Sequence, residues 1–239
     1  MGHTTKSGSV RERLLEAAAT RFYADGVNAT GIDAITATAG VAKMSLYNNF
    51  SSKAALVEAY IDRRHRDWMD LYEARLTGAA TPTEKVLAVF DAYVDHASSA
   101  YPHGFRGCGL LNAAAELPVG DPGRSAVKHH KEEVERILVA HLCTVVGQEQ
   151  AEDLAEHMVF LLEGAMARAG LEGDASRLRR ARAMAAQMLE GCLARLWPWG
   201  RSWWPRRCSG PPGPHRRSAL TGPRRWESAP SASSSEAWG

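Results

Sequence analysis

Lys43, Met44, Ser45, Tyr47 and Asn48 crowd into one short, otherwise thinly charged stretch of a 239-residue chain. An ammonium, a hydroxyl, a phenol, a carboxamide and a thioether at this spacing make no nucleophile and base. Their chemistry suits recognition, by hydrogen bonds and apolar contacts to base edges and phosphates in a DNA groove, although a plain helical hairpin can carry the glycine turn that precedes them. The sequence around them, GIDAITATAGVAKMSLYNNF over residues 31–50, explains how they could be presented. Two apolar-patterned segments, 32–39 and 42–49, meet at Gly40. Glycine reaches the left-handed conformation that lets the chain leave one helix and enter the next at a steep angle, the layout of a helix-turn-helix. Ile32, Ile35, Val41 and Leu46 can share a core, which turns the polar set outward. Thr30, with Asp33 three residues later, has capping-box spacing and is expected to start the first of the two helices.

Other groups of chemical residues lead less far. His129, His130 and His141 stand on one helical pattern, but His130 and His141 lie about three turns apart, too far to share an ion, and no metal site is expected. The four cysteines have no C-x-x-C or zinc spacing; Cys108, beside Arg106 and ahead of a helix, is read as an inert thiol in preference to a redox sensor. Gly104, Gly107 and Gly109 follow no strand and lack a P-loop lysine, so they are read as turns. No pair of carboxylates and no nucleophile–base spacing suggests an enzyme, and no cofactor is expected.

The surrounding pattern is all-α. Leu14, Ala18 and Phe22 recur at helical spacing from Val10 until Asp25 and Gly26 end the helix. A serine, Ser51 or Ser52, caps a long helix to about Leu76 with the stripe Val57, Ile61, Trp68 and Tyr72. Further helices are expected over 83–99, 110–117, a stretch marked by Val127 to Val145, 148–169 and 174–196, with breaks over 78–82 and 118–123. Lys53 sits in a helix first turn, where a cation is disfavoured unless a phosphate joins it.

Net charge is +2, but the stretch from Gly200 onward carries seven arginines against two acids, about +5, leaving the remainder near −3. DNA binding must therefore come from a local surface and not from bulk attraction. No stretch matches a membrane span or a signal peptide, so a cytoplasmic protein is expected. From Trp197 the composition changes: six of the seven tryptophans and seven of the eleven prolines lie there. Residues 197–239 are expected to be a disordered tail, native or produced by a reading frame that departs from the rest near this point.

Residues 10–61, and above all GVAKMSLYNNFSSKAALVEAY over 40–60, resemble the N-terminal domain of TetR-type bacterial transcriptional regulators. Val41, Lys43, Leu46, Tyr47, Phe50, Ser52, Lys53 and Leu56 match that pattern, while Met44 and Gly31 depart from it. The segment FRGCGLLNAAAELP over 105–118 resembles the middle of the ligand-binding domain in one branch of the same regulators. Residues 1–9, polar and glycine-containing, are expected to be a flexible arm; the resemblance implies a DNA-binding domain over 10–55 and a helical ligand-binding and dimerisation domain over 56–196. It implies a homodimer joined through residues about 148–196, and a double-stranded, palindromic DNA operator. Thr30, Tyr47 and Lys53 are then expected to hold phosphates, with Lys43, Met44, Ser45 and Asn48 at base edges. A small organic effector is expected to be lined by some of Trp68, Phe90, Tyr93, Phe105, Leu111, Asn112, Glu116 and Met166. Ligand-released repression is the first reading; an all-α adaptor that uses the same face for a protein partner is the alternative.

Overall fold

The computed structural model describes residues 8–101 and 103–196. The expected arm over 1–9 falls mostly, and the tail over 197–239 wholly, outside the described residues. Within them nine helices and no strand form the fold. These are α1 (Val10–Asp25), α2 (Ile32–Ala39), α3 (Lys43–Asn49), α4 (Lys53–Leu76), α5 (Pro82–Ser98), α6 (Gly109–Glu116), α7 (Pro122–Val146), α8 (Gln148–Glu172) and α9 (Ser176–Leu196).

Helix ends follow local chemistry. Ser9 and Glu12 form a reciprocal capping box at α1, and Thr81 with Glu84 does the same at α5. Pro82, expected in a break, is instead the first residue of α5, and Pro122 is the first of α7; a missing N–H costs nothing at that position. Ser52 caps α4 by accepting from the Ala55 N–H at 3.1 Å. Gly40 sits at φ 62°, ψ 42°, and the N–H of Val41 closes back on the Thr36 carbonyl, so the tight turn between α2 and α3 is as its glycine requires.

The Thr30 cap is a correction. The residue flanking α2 is Gly31, which makes no side-chain cap. Thr30 is 2 % exposed and its hydroxyl donates to the Gly26 carbonyl at 2.6 Å, tying off the turn after α1. Asp33 pairs with Lys43 at 2.8 Å. A buried hydroxyl is held by whichever partner the tertiary fold supplies: here it donates to the Gly26 carbonyl of the preceding turn and does not accept from the N–H groups of α2.

α1 packs on α2, α3, α4 and α6. α4 carries one end in this small cluster and the other in a bundle with α5 and α7, which α8 and α9 complete. Leu56, Val57, Tyr60, Ile61, Trp68 and Tyr72 are buried along α4, and a single apolar core runs from Leu14 on α1 to Leu189 on α9. Burial of aromatic and aliphatic side chains on this scale supplies the main driving force for the fold. Where the loop before α6 meets α8, Gly107 and Gly170 touch backbone to backbone: a Cβ on Gly170 would lie 2.7 Å from the Gly107 Cα.

Candidate nucleic-acid interface

α2 and α3 are short, and each keeps one side for the core. Ile35 and Leu46 are fully buried against α1, and Phe50 closes the unit beneath the Arg11 guanidinium, 4.9 Å from its ring centroid. With Leu46 fixed inward, helical periodicity turns Lys43, Met44, Tyr47 and Asn48 outward. Met44 is 68 % and Tyr47 48 % exposed, large side chains that no described residue covers. Ser45 is half-buried, its carbonyl accepting from the Asn49 carboxamide at 2.7 Å.

The electrostatics are local. Lys43 is bound to Asp33, which raises its pKa through the hydrogen bond and the charge. Lys53 stands in the first turn of α4 and, among the described residues, has no ion-pair partner; the free N–H groups of that turn lie beside it. Ammonium and helix start together make an anion site of the kind a phosphate fills. Thr30, expected at a phosphate, has its hydroxyl turned inside and offers none to the surface.

Two side chains far along the chain hold this unit against the bundle. Arg106 sends its guanidinium to the Tyr23 and Ala24 carbonyls at the end of α1, while its backbone N–H donates to the Tyr23 hydroxyl at 2.6 Å. The Glu116 carboxylate accepts from the Val27 and Asn28 N–H groups at 3.0 and 2.7 Å. Sequence reading placed Glu116 at a ligand; its position as the last residue of α6 makes it a clamp on the turn after α1 instead. The partners lie some ninety residues away, and no local pattern signals the contact.

Of the other seven residues expected at a ligand, Trp68, Tyr93 and Met166 line one small internal cavity, with Arg64, His96, Cys108 and His130, none of which was singled out as lining it. Phe90 and Phe105 are buried core, while Leu111 and Asn112 face outward on α6, because its inner side is taken by Leu110 and Ala113. Cys108 is buried, with Lys131 donating toward its sulfur at 3.7 Å. His130 meets His65 at 2.9 Å and His141 meets the Tyr72 hydroxyl at 2.6 Å; no metal-binding group of His, Cys, Asp and Glu occurs among the described residues. No described helix is long and apolar enough to cross a membrane.

Comparison with known proteins decides what such a head on such a bundle is. Residues 14–60 match the family described as bacterial regulatory proteins, tetR family, and residues 82–185 match the tetracyclin repressor-like C-terminal domain. A TetR-family transcriptional regulator from Streptomyces coelicolor is 34 % identical over 78 % of this chain and 95 % of its own, with a TM-score of 0.66. The chain belongs to the TetR family. A second TetR-type regulator, from Streptomyces avermitilis, is 29 % identical over 77 % of this chain and 98 % of its own, with a TM-score of 0.61. The HTH-type transcriptional repressor KstR2 of Mycolicibacterium smegmatis is 37 % identical over 89 residues, 37 % of this chain and 43 % of the repressor. The chain thus spans less than half of that relative's length. As a TetR-family transcriptional regulator it has its helix-turn-helix in α2 and α3, with α1 as the brace behind them.

Proposed function

We propose that this TetR-family protein is a ligand-responsive repressor that binds a palindromic operator as a homodimer in the cytoplasm and is released by a small organic effector. The observation that carries the DNA reading is the outward face of α3, whose cation, carboxamide, phenol and thioether are exposed while Leu46 anchors the helix from behind. Lys43, Met44, Ser45 and Asn48 serve base edges, Tyr47 and Lys53 serve phosphates, and Lys43 exchanges Asp33 for DNA on binding. The DNA-binding domain ends near residue 55 in this reading, and 56–196 form the ligand-binding and dimerisation domain.

Dimerisation is supported by α8 and α9, which keep apolar surface on the side away from the core. Phe160 and Leu171 on α8 are 64 % and 85 % exposed, with Gly164 and Ala167 between them on the same helical face, and Met184 lies exposed on α9. Two such helices from each copy form a four-helix interface, and twofold symmetry then presents two α3 helices to successive major grooves. Repression is the reading that the name of the Mycolicibacterium relative favours.

An electrophoretic mobility shift with the DNA upstream of the gene, at two salt concentrations and against unrelated competitor, tests the reading. Salt-sensitive, sequence-selective binding by a dimer is expected. Binding with no sequence preference, or none at all, would leave the adaptor reading in its place.

A further inference from the structure

Trp68, Tyr93, Met166, Arg64, His96 and Cys108 enclose a cavity of about 20 Å³, room for little more than one oxygen atom. Its walls hold polar groups with no hydrogen-bond partner among the described residues. The Trp68 indole Nε1 and the Arg64 Nε, both buried, have no hydrogen-bond partner, and neither has the Tyr60 hydroxyl near Gly109. An indole N–H and a guanidinium N–H are donors only, so what they lack is an acceptor. Leaving two buried donors unbonded is costly, and a fold retains such an arrangement where something else completes it.

Charge narrows the acceptor. Arg64 is already paired with Asp67, and Lys131, whose ammonium burial opposes but the Glu163 carboxylate at 2.7 Å sustains, is paired too. Burial and the Arg64 cation push the His96 pKa down to about 4, while burial and Lys131 take His130 down to about 3. Near neutral pH both imidazoles are uncharged and every cation at the cavity is compensated. A carboxylate would bring in a charge that nothing balances, whereas a neutral carbonyl oxygen would bond both donors without that cost.

The rest of the molecule would have somewhere to lie. Arg64 and His96 also line an open cleft of about 450 Å³, whose wall carries Glu16, Asp67 and Asp70 together with Leu71 and the Tyr23 and Tyr101 rings, which stack 4.5 Å apart. That size suits a small organic body. From this geometry we infer that the cavity and cleft form one site for a small, uncharged molecule bearing a carbonyl, its oxygen held by the N–H groups of Trp68 and Arg64. This rests on the effector-responsive reading above only for its biological use. The cleft is shared by α1, α4, α5 and the segment after α5, so an occupant touches the brace behind the helix-turn-helix directly.

The test is a ligand-observed NMR titration of the full chain at neutral pH with three probes of one shape: cyclohexanone, cyclohexene and cyclohexanecarboxylate. Cyclohexanone is expected to bind about tenfold more tightly than either of the others. Trp68→Phe, which keeps an aromatic ring on the Tyr72 side but removes the donor, is expected to erase most of the preference of cyclohexanone over cyclohexene. In the unaltered protein the carbonyl stretch of bound, carbon-13-labelled cyclohexanone should move to lower wavenumber, a readout that does not depend on a variant folding. Equal binding of the three, preference for the carboxylate, an unmoved stretch, a preference that survives Trp68→Phe, or no binding of any probe overturns the inference. Carbonyl-selective binding that leaves operator affinity untouched at saturation upholds the head-group assignment and refutes the effector reading instead.

Discussion

Removing the Glu116 carboxylate isolates the clamp between the reading head and the bundle. In Glu116→Ala two backbone N–H groups lose a charged acceptor, at 3.0 Å for Val27 and 2.7 Å for Asn28. They are not equivalent. Asn28 is exposed and water can replace the carboxylate there, so its loss costs only a few tenths of a kcal/mol. Val27 is 3 % exposed, and hydrogen bonds to charged groups contribute about 1.5–3 kcal/mol when the partner N–H cannot reach water. The sum is about 2–3 kcal/mol. For a cooperative unit of this size each kcal/mol moves the melting temperature by about 2–4 °C, so a fall of roughly 5–10 °C is expected. Circular dichroism melts at one fixed protein concentration measure it, since self-association would make the melting point depend on concentration. Native-state hydrogen exchange adds position: the amides of Val27 and Asn28 should lose protection more than those of α7. A melting temperature within about 1 °C of the parent, with the Val27 amide still protected, would show that the head is held by packing alone and that the clamp reasoning is wrong.

Tyr47→Ala and Lys53→Ala should weaken binding to every DNA sequence alike, and Lys53→Ala should lower the salt slope by about one in titrations across ionic strength. Asn48→Ala should instead change the ranking of operator variants; uniform weakening in a competition shift would place Asn48 at the backbone. Gly170→Ala would drive a Cβ to 2.7 Å from the Gly107 backbone, which cannot rotate away, so urea unfolding should show a loss of about 1–3 kcal/mol; an unchanged midpoint would mean that the loop before α6 yields freely. Burial holds the His96 and His130 pKa values below that of a free imidazole, at about 4 and about 3. The unfolded chain therefore takes up protons first, so the stability these groups contribute is complete above about pH 6.5 and declines as pH falls from there toward 4. Urea midpoints at pH 7 and pH 5 should differ in that sense, and His130→Gln should reduce the difference.

The sequence made the reading head legible because its structure is decided locally. The bounds of α1 and α2, the turn at Gly40 and the serine at the start of α4 follow from caps, periodicity and one left-handed glycine, all within a few residues. Thr30 shows where local reasoning stops: a hydroxyl ahead of an apolar run has cap spacing, yet the Gly26 carbonyl, placed by the preceding turn, claims it. Pro82 and Pro122 were misplaced for a related reason, since proline ends a helix from inside but begins one well. The ligand-facing residues were the least legible. Trp68, Tyr93 and Met166 line the cavity and Leu111 and Asn112 do not, and only the packing of α4, α5, α6 and α8 separates them. Arg64 and His96 look in sequence like ordinary surface charge.

α4 spans 24 residues without a break, from the turn beside Lys53 to Leu76. At about 1.5 Å per residue it is a rod of roughly 36 Å. Pivoting such a lever by about 5° sweeps its far tip by about 3 Å, close to the rise of one base pair along a duplex strand. In the homodimer proposed above, two such levers related by a twofold axis would double the misfit, so a displacement near Trp68 smaller than a side-chain rotamer change would suffice to throw two heads out of step with a double helix.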